Sequence, residues 1–156
     1  MKYIHPILLL CMVTVVSCDH HASTPLSDTD ILHQNQDKLT EVIIYDVFTP
    51  PVASRLYVYS SLASYEAIRF IREGSSSIAE KLNGFGEMPR PEEGKSYNFT
   101  LAASKAFFNV VRNVKVFSVD SLTRYEEALY KSFKVNLDDA VFHRSLNFGD
   151  SVARVV

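Results

Sequence analysis

The sequence holds 18 carboxylates but only five imidazoles, and most of the imidazoles lie near its start. His20, His21 and His33 fall within residues 19–36, a stretch of polar and turn-forming residues with almost no apolar periodicity. Neutral imidazoles bind zinc or copper readily, but ligands carried on a flexible tether must also absorb its ordering entropy. These three are read as solvated linker residues. His143 has no second imidazole in the ordered region to form a metal-binding pair and is read as a helix-surface or core-edge residue. Asp46 and Arg55 offer two readings: an ion pair that braces a corner, or a catalytic carboxylate at Asp46. No second carboxylate or nucleophile stands at a spacing that would complete a site, which favours the structural role.

The corner is set by Pro50 and Pro51, which interrupt a continuous apolar pattern. Proline cannot occupy a helix interior but suits a first helical position. One helix is therefore predicted over about 37–48, with Leu39, Val42, Ile43 and Val47 as its stripe, and a second over about 51–72. The second carries Val52, Leu56, Tyr59, Ala63, Ala67 and Phe70 on one side. Its Ser60, Ser61, Ala63, Ser64 and Ala67 would let a neighbour approach closely, so it is expected to be the central helix.

Ser77 and Glu80 have capping-box spacing for a short helix over about 78–83. Residues 84–96, with Gly84, Gly86, Pro89, Pro91 and Gly94, read as an irregular surface connection. A third long helix is predicted over about 99–117, a fourth capped by Asp120 or Ser121, and a fifth capped by Asn136. No segment alternates apolar and polar residues without also fitting a helix, and no Asn-Gly or Asp-Gly hairpin turn occurs. The expected fold class is an all-α helical bundle. Its fifth helix runs to Val156 without a glycine cap or a proline, which suggests the incomplete N-terminal portion of a larger fold.

The 156 residues are 47% hydrophobic, enough apolar material for a core, and the net charge of −2 supplies no basic stripe for nucleic acid. Met1-Lys2-Tyr3 followed by apolar residues 7–16 reads as a signal peptide over 1–17, too short to span a bilayer, which needs roughly 20 residues. Val15-Val16-Ser17-Cys18 resembles the lipobox of bacterial lipoproteins. That resemblance implies cleavage before Cys18, a diacylglycerol on its thiol, and a membrane anchor that holds the chain in a bacterial cell envelope, outside the cytoplasm. Residues 18–36 are then lipidated cysteine and linker, and 37–156 the helical region. Cys11 would leave with the signal, so no pair of thiols remains for an intramolecular disulfide.

The corner Asp46-Val-Phe-Thr-Pro-Pro-Val-Ala-Ser-Arg55, the helix that ends Ala63-Ser-Tyr-Glu66, the run Leu101-Ala-Ala-Ser-Lys-Ala-Phe107 and the run Arg144-Ser-Leu-Asn-Phe-Gly-Asp-Ser-Val-Ala153 occur in that order. Together they resemble the N-terminal part of bacterial vanadium-dependent haloperoxidase-like proteins, relatives of the PAP2 acid phosphatases, over about 39–156. The resemblance implies an oxyanion site for vanadate or phosphate, with the signature Lys-x6-Arg-Pro, Ser-Gly-His and Ser-Arg-x5-His-x3-Asp. None of the three motifs is present in this sequence. Lys81 and Arg90-Pro91 come nearest, but residues 82–89 intervene and include two glycines and a proline, so the cations cannot share a helical face. Both are read as surface charges.

No catalytic, cofactor-binding or metal-binding residue is therefore assigned within this chain; vanadate would belong to a full-length relative. Asn98-Phe99-Thr100 matches a glycosylation sequon, a match the bacterial lipoprotein signal empties of meaning. Two functions stay open: an N-terminal scaffold whose partner is the missing set of C-terminal catalytic helices, or a complete non-catalytic lipoprotein that binds a partner or envelope component.

Overall fold

The computed structural model describes residues 26–114 and 116–156. Among them are five α-helices and no strand: α1 Asp28–Tyr45, α2 Pro50–Ile68, α3 Phe99–Arg112, α4 Val119–Lys134 and α5 Asp139–Val155. Single 3-10 turns occupy Arg69–Ile71 and Ala79–Lys81. The all-α expectation holds. The signal segment, Cys18, His20 and His21 lie outside the described residues.

Residues 28–36 are helix, not tether. Ser27 Oγ accepts from the Asp30 N–H at 3.2 Å while the Asp30 carboxylate accepts from the Ser27 N–H at 3.1 Å, a capping box that starts α1 well before the predicted boundary. The hydrogen bonds from Ser27 hold the Asp30 carboxyl below its ordinary pKa. Ile31 and Asn35 are buried on this first part of the helix, whereas His33 is exposed. Asn35 Nδ2 donates to Ser104 Oγ at 2.8 Å and its Oδ1 accepts from the Tyr125 hydroxyl at 3.1 Å, so one amide ties α1 to both α3 and α4. The stretch looked like a linker because a polar residue does the packing.

The central helix is α3, not α2. It packs most extensively against α2 and α5 and also meets α1 and α4. The sequence explains this centrality: Leu101, Ala102, Ala103, Ser104, Ala106, Phe107 and Phe108 are all buried, and only a narrow polar edge of Lys105, Asn109 and Arg112 is left. On α2 the buried stripe is Leu56, Ser60, Ala63 and Ala67 with Glu66, while Val58 and Tyr59 remain exposed. The small residues foreseen as a contact seam are split, since Ser60, Ala63 and Ala67 are buried but Ser61 is exposed.

Two apolar clusters result. One gathers Ala63, Ala67, Ala102, Ala106, Phe148 and Val152 between α2, α3 and α5; the other gathers Leu39, Val42, Leu56, Phe108, Val111, Leu122 and Leu129 between α1, α2, α3 and α4.

Three caps depart from the sequence reading. α3 ends at Arg112 and not near Phe117, because the chain must turn to start α4. α4 is capped at Ser118, not at Asp120 or Ser121, and the Asp46 carboxylate accepts from the Phe117 and Ser118 N–H groups that lead into it. α5 is capped at Asp138 and not at Asn136. Asn98, of the sequon, accepts from the Leu101 N–H at 2.8 Å and is the N-cap of α3. The predicted short helix shrinks to the Ala79–Lys81 turn.

At the corner, Pro50 and Pro51 open α2. Asp46 does not pair with Arg55 among the described residues, and Arg55 is exposed. The Asp46 carboxylate instead reaches across the bundle, accepting from the Phe117 N–H at 2.8 Å, the Ser118 N–H at 3.2 Å and the Ser118 hydroxyl. Sequence proximity suggests Arg55, but the Phe117 and Ser118 N–H groups, beside the positive end of the α4 dipole, are the stronger claim on a carboxylate. Asp46→Ala is therefore expected to cost about 1–2 kcal/mol and Arg55→Ala less than about 0.5 kcal/mol in urea denaturation. Equal losses, with coupling between the two in the double variant, would restore the Asp46–Arg55 bridge.

Candidate functional site

The motif residues converge where α3, α5 and the loop before α3 meet. Arg144 Nη1 donates to the Ser96 carbonyl at 2.8 Å, and Ser145 Oγ accepts from the Asn98 N–H at 2.9 Å while donating to the Val141 carbonyl at 2.7 Å. These bonds fasten α5 to the entry of α3. Phe148 then makes edge contacts with Phe70, Tyr97 and Phe99, at centroid separations of 5.7, 5.6 and 6.2 Å. Gly149 lies so close to α3 that a Cβ placed on it would stand 2.4 Å from the Ala102 carbonyl oxygen and 2.8 Å from Lys105 Cβ. Val152 and Ala153 complete the buried face. The Arg-Ser-x-x-Phe-Gly-x-x-Val-Ala run and the Leu-Ala-Ala run are thus the two sides of one helix-helix contact.

Two carboxylates to which the sequence gives no role are buried here. Glu66, fully buried, accepts through Oε1 from Ser77 Oγ at 3.0 Å, the Ile78 N–H at 2.7 Å and the Ala79 N–H at 2.9 Å. It caps the 3-10 turn, and Ser77 Oγ accepts in turn from the Glu80 N–H at 3.0 Å. The other oxygen, Oε2, is 3.0 Å from Arg69 Nε, an ion pair in which the N–H is not aimed at the oxygen, so that both atoms lack an aligned hydrogen bond. The sequence signal was a carboxylate on an apolar stripe, Leu62, Ala63, Glu66 and Ala67, with an arginine three residues on.

The second is Glu126, on the Leu122 and Leu129 stripe of α4. It pairs with Arg112 and accepts from the Tyr130 hydroxyl at 2.7 Å. Burial pushes the Glu126 carboxyl above its ordinary pKa, against the hydrogen bond from Tyr130 and the charge of Arg112, and burial together with the Glu126 charge drives the Tyr130 hydroxyl far up. Nearby, Asp150 accepts from Asn109 Nδ2 and lies 3.5 Å from Lys105 Nζ. These groups pair with one another across α3, α4 and α5, with Glu126 Oε2 held by the charge of Arg112 and without an aligned hydrogen bond.

The cations weighed for oxyanion binding do not build a cradle. Lys81 is exposed, with Nζ 3.0 Å from Ser76 Oγ. Arg90 lies apart from it, in an open cleft of about 470 Å³ shared with Glu92, Tyr97, His143, Arg144 and Asn147. There His143 Nε2 is 3.5 Å from the Asp139 carboxylate, Arg144 is already committed to Ser96, and Glu92 would repel an anion. The donors are divided among internal partners and face carboxylates, an arrangement that does not fit vanadate or phosphate. Among the described residues no group of three or more His, Cys, Asp or Glu side chains is placed to hold a metal ion, and no helix is long and apolar enough to cross a membrane.

The fold is shared with a solved enzyme structure, that of a bacterial vanadium-dependent iodoperoxidase, with a TM-score of 0.74 and 31% sequence identity. The chain has a haloperoxidase-like fold. The match covers 85% of this chain and 32% of the iodoperoxidase chain, so the present polypeptide spans about a third of the length of that relative. No family model and no curated protein matches the sequence. At 31% identity the haloperoxidase-like likeness extends to sequence as well as to the course of the helices.

Proposed function

We propose that this chain is the N-terminal helical scaffold of an exported lipoprotein related to vanadium-dependent haloperoxidases and PAP2 phosphatases, whose oxyanion site is supplied by polypeptide outside residues 1–156. The supporting observation is the match to the iodoperoxidase over 85% of this chain but only a third of that one. Chemistry agrees: the carboxylates and cations brought together here brace helices, whereas a site for a phosphate or vanadate oxyanion would need several converging donors and an in-line histidine. Cys18 carries the lipid, residues 19–27 lead to α1, and the bundle sits on the outer side of a membrane. Vanadate belongs to the catalytic helices.

The purified chain is expected neither to oxidise iodide or bromide with peroxide and vanadate nor to hydrolyse p-nitrophenyl phosphate. Turnover abolished by Lys81→Ala or His143→Ala would overturn the scaffold reading. Labelled fatty acid should enter the wild-type protein and not Cys18→Ala; no incorporation into the wild type would remove the lipid anchor. The DNA beyond the Val156 codon should continue in frame to a Ser-Gly-His motif.

A further inference from the structure

Val47 is held in the left-handed region, at φ +53°. Its N–H donates to the Ile44 carbonyl at 3.2 Å and the Phe48 N–H to the Ile43 carbonyl at 3.1 Å, so α1 ends in a Schellman motif with a β-branched residue where glycine is normal. The Val47 side chain gains nothing from the fold in return, since the residue is 82% exposed. Around it Ile44, Tyr45 and Phe117 are 71%, 79% and 84% exposed, with Val119 half-exposed. Asp46, between Tyr45 and Val47, holds the two segments together by accepting from the Phe117 and Ser118 N–H groups, and Tyr45 and Phe117 line the same cleft.

A strained residue with an outward apolar side chain, inside a rigidly clamped apolar patch, indicates a binding surface. Taking the two rings at 150–250 Å² each and adding the aliphatic groups, the patch offers roughly 600 Å², close to one side of a standard interface. Among the described residues the cleft beside it carries Glu41, Asp120 and Arg124, which form no basic collar for an anionic lipid surface. The occupant is argued from length: about two thirds of the iodoperoxidase chain lies outside the matched segment, and helices added to a fold of this kind need apolar faces to pack on.

We propose that the Tyr45, Val47 and Phe117 surface is the docking face for an apolar helical segment of the remaining fold, an inference that rests on the scaffold reading above. The strain at Val47 is then retained for contact and not for the stability of this bundle.

The test co-expresses the chain with the polypeptide encoded in frame beyond Val156 as a separate product and measures their association by sedimentation. Phe117→Asp and Val47→Asp are expected to weaken association by about tenfold or more. Val135→Asp, the same change at an exposed valine on the far end of α4, should leave it within about twofold. Val47→Gly separates contact from folding: relief of strain should raise the melting temperature of the chain by about 3 °C while association weakens by about fivefold. A purely structural valine would move the two together.

If the products associate but none of these substitutions matters, the docking face is wrong and the scaffold reading stands. If no in-frame polypeptide exists, or the wild-type products do not associate, the scaffold reading fails and the docking face with it. Concentration-dependent self-association of the chain, abolished by Phe117→Asp and indifferent to the second product, would assign the face to a second copy and overturn the proposal.

Discussion

Gly149→Ala is expected to lower stability by about 2–3 kcal/mol, although alanine is the better helix former by about 1 kcal/mol. The new methyl would lie 2.4 Å from the Ala102 carbonyl oxygen and 2.8 Å from Lys105 Cβ. Neither obstacle can swing aside, since one is backbone within the first turn of α3 and the other is the root of a side chain. The two helices must separate, and separation unpacks Phe148 and Val152 on the α5 side and Ala103 and Ala106 on the α3 side. Urea denaturation should show a lower midpoint with an unchanged slope. Helix propensity alone predicts the opposite sign, so a variant that melts above the wild type would refute the close contact.

Glu66→Ala should be the more damaging change, by about 3–5 kcal/mol, because it leaves a buried guanidinium without its counter-ion. Arg69 is only 7% exposed and lies 4.2 Å over the Phe70 ring, with Nη1 3.4 Å from the Ser75 carbonyl. Removing Glu66 also strips three donors of their acceptor: Ser77 Oγ and the N–H groups of Ile78 and Ala79. Glu66→Gln keeps an acceptor but not the charge and should fall between. The double variant Glu66→Ala with Arg69→Ala should lose clearly less than the sum of the singles. Additive losses would mean that the 3.0 Å approach of Arg69 Nε to Glu66 Oε2 carries no coupling.

Both predictions concern residues inside the recognised motifs, and the contrast between them shows what a motif conveys. Gly149 and Glu66 were visible in sequence as members of Phe-Gly and Tyr-Glu patterns, but neither pattern states its physical reason. For Gly149 the reason is a second helix packed against its Cα, a fact with no sequence-local trace. For Glu66 there was a trace: a carboxylate on a buried helical stripe must find partners, and its position relative to Leu62, Ala63 and Ala67 marked it as buried. The same reasoning would have found Glu126 between Leu122 and Leu129.

Where the sequence reading failed, a polar group had been assigned to solvent or to its nearest neighbour. Residues 28–36 read as linker because the stretch is polar and nearly free of apolar periodicity, yet its Asn35 is 1% exposed and bonded to Ser104 and Tyr125. Asp46 was matched with Arg55 nine residues on, and its partners proved to be Phe117 and Ser118.

By itself the sequence determined that the chain is helical, that Pro50 and Pro51 open the second long helix, and that the spacing of Lys81 and Arg90 cannot align two cations on one helical face. These follow from periodicity, ring closure in proline and helix geometry, all of which act within a few residues. Tertiary structure alone decided which helix is central, where Asp46 and Asn35 find their hydrogen bonds, and why Gly149 has no side chain. Those outcomes depend on which surfaces approach after the chain has folded back on itself. A buried polar atom accepts whichever partner the packing brings within about 3 Å, whatever its distance along the chain.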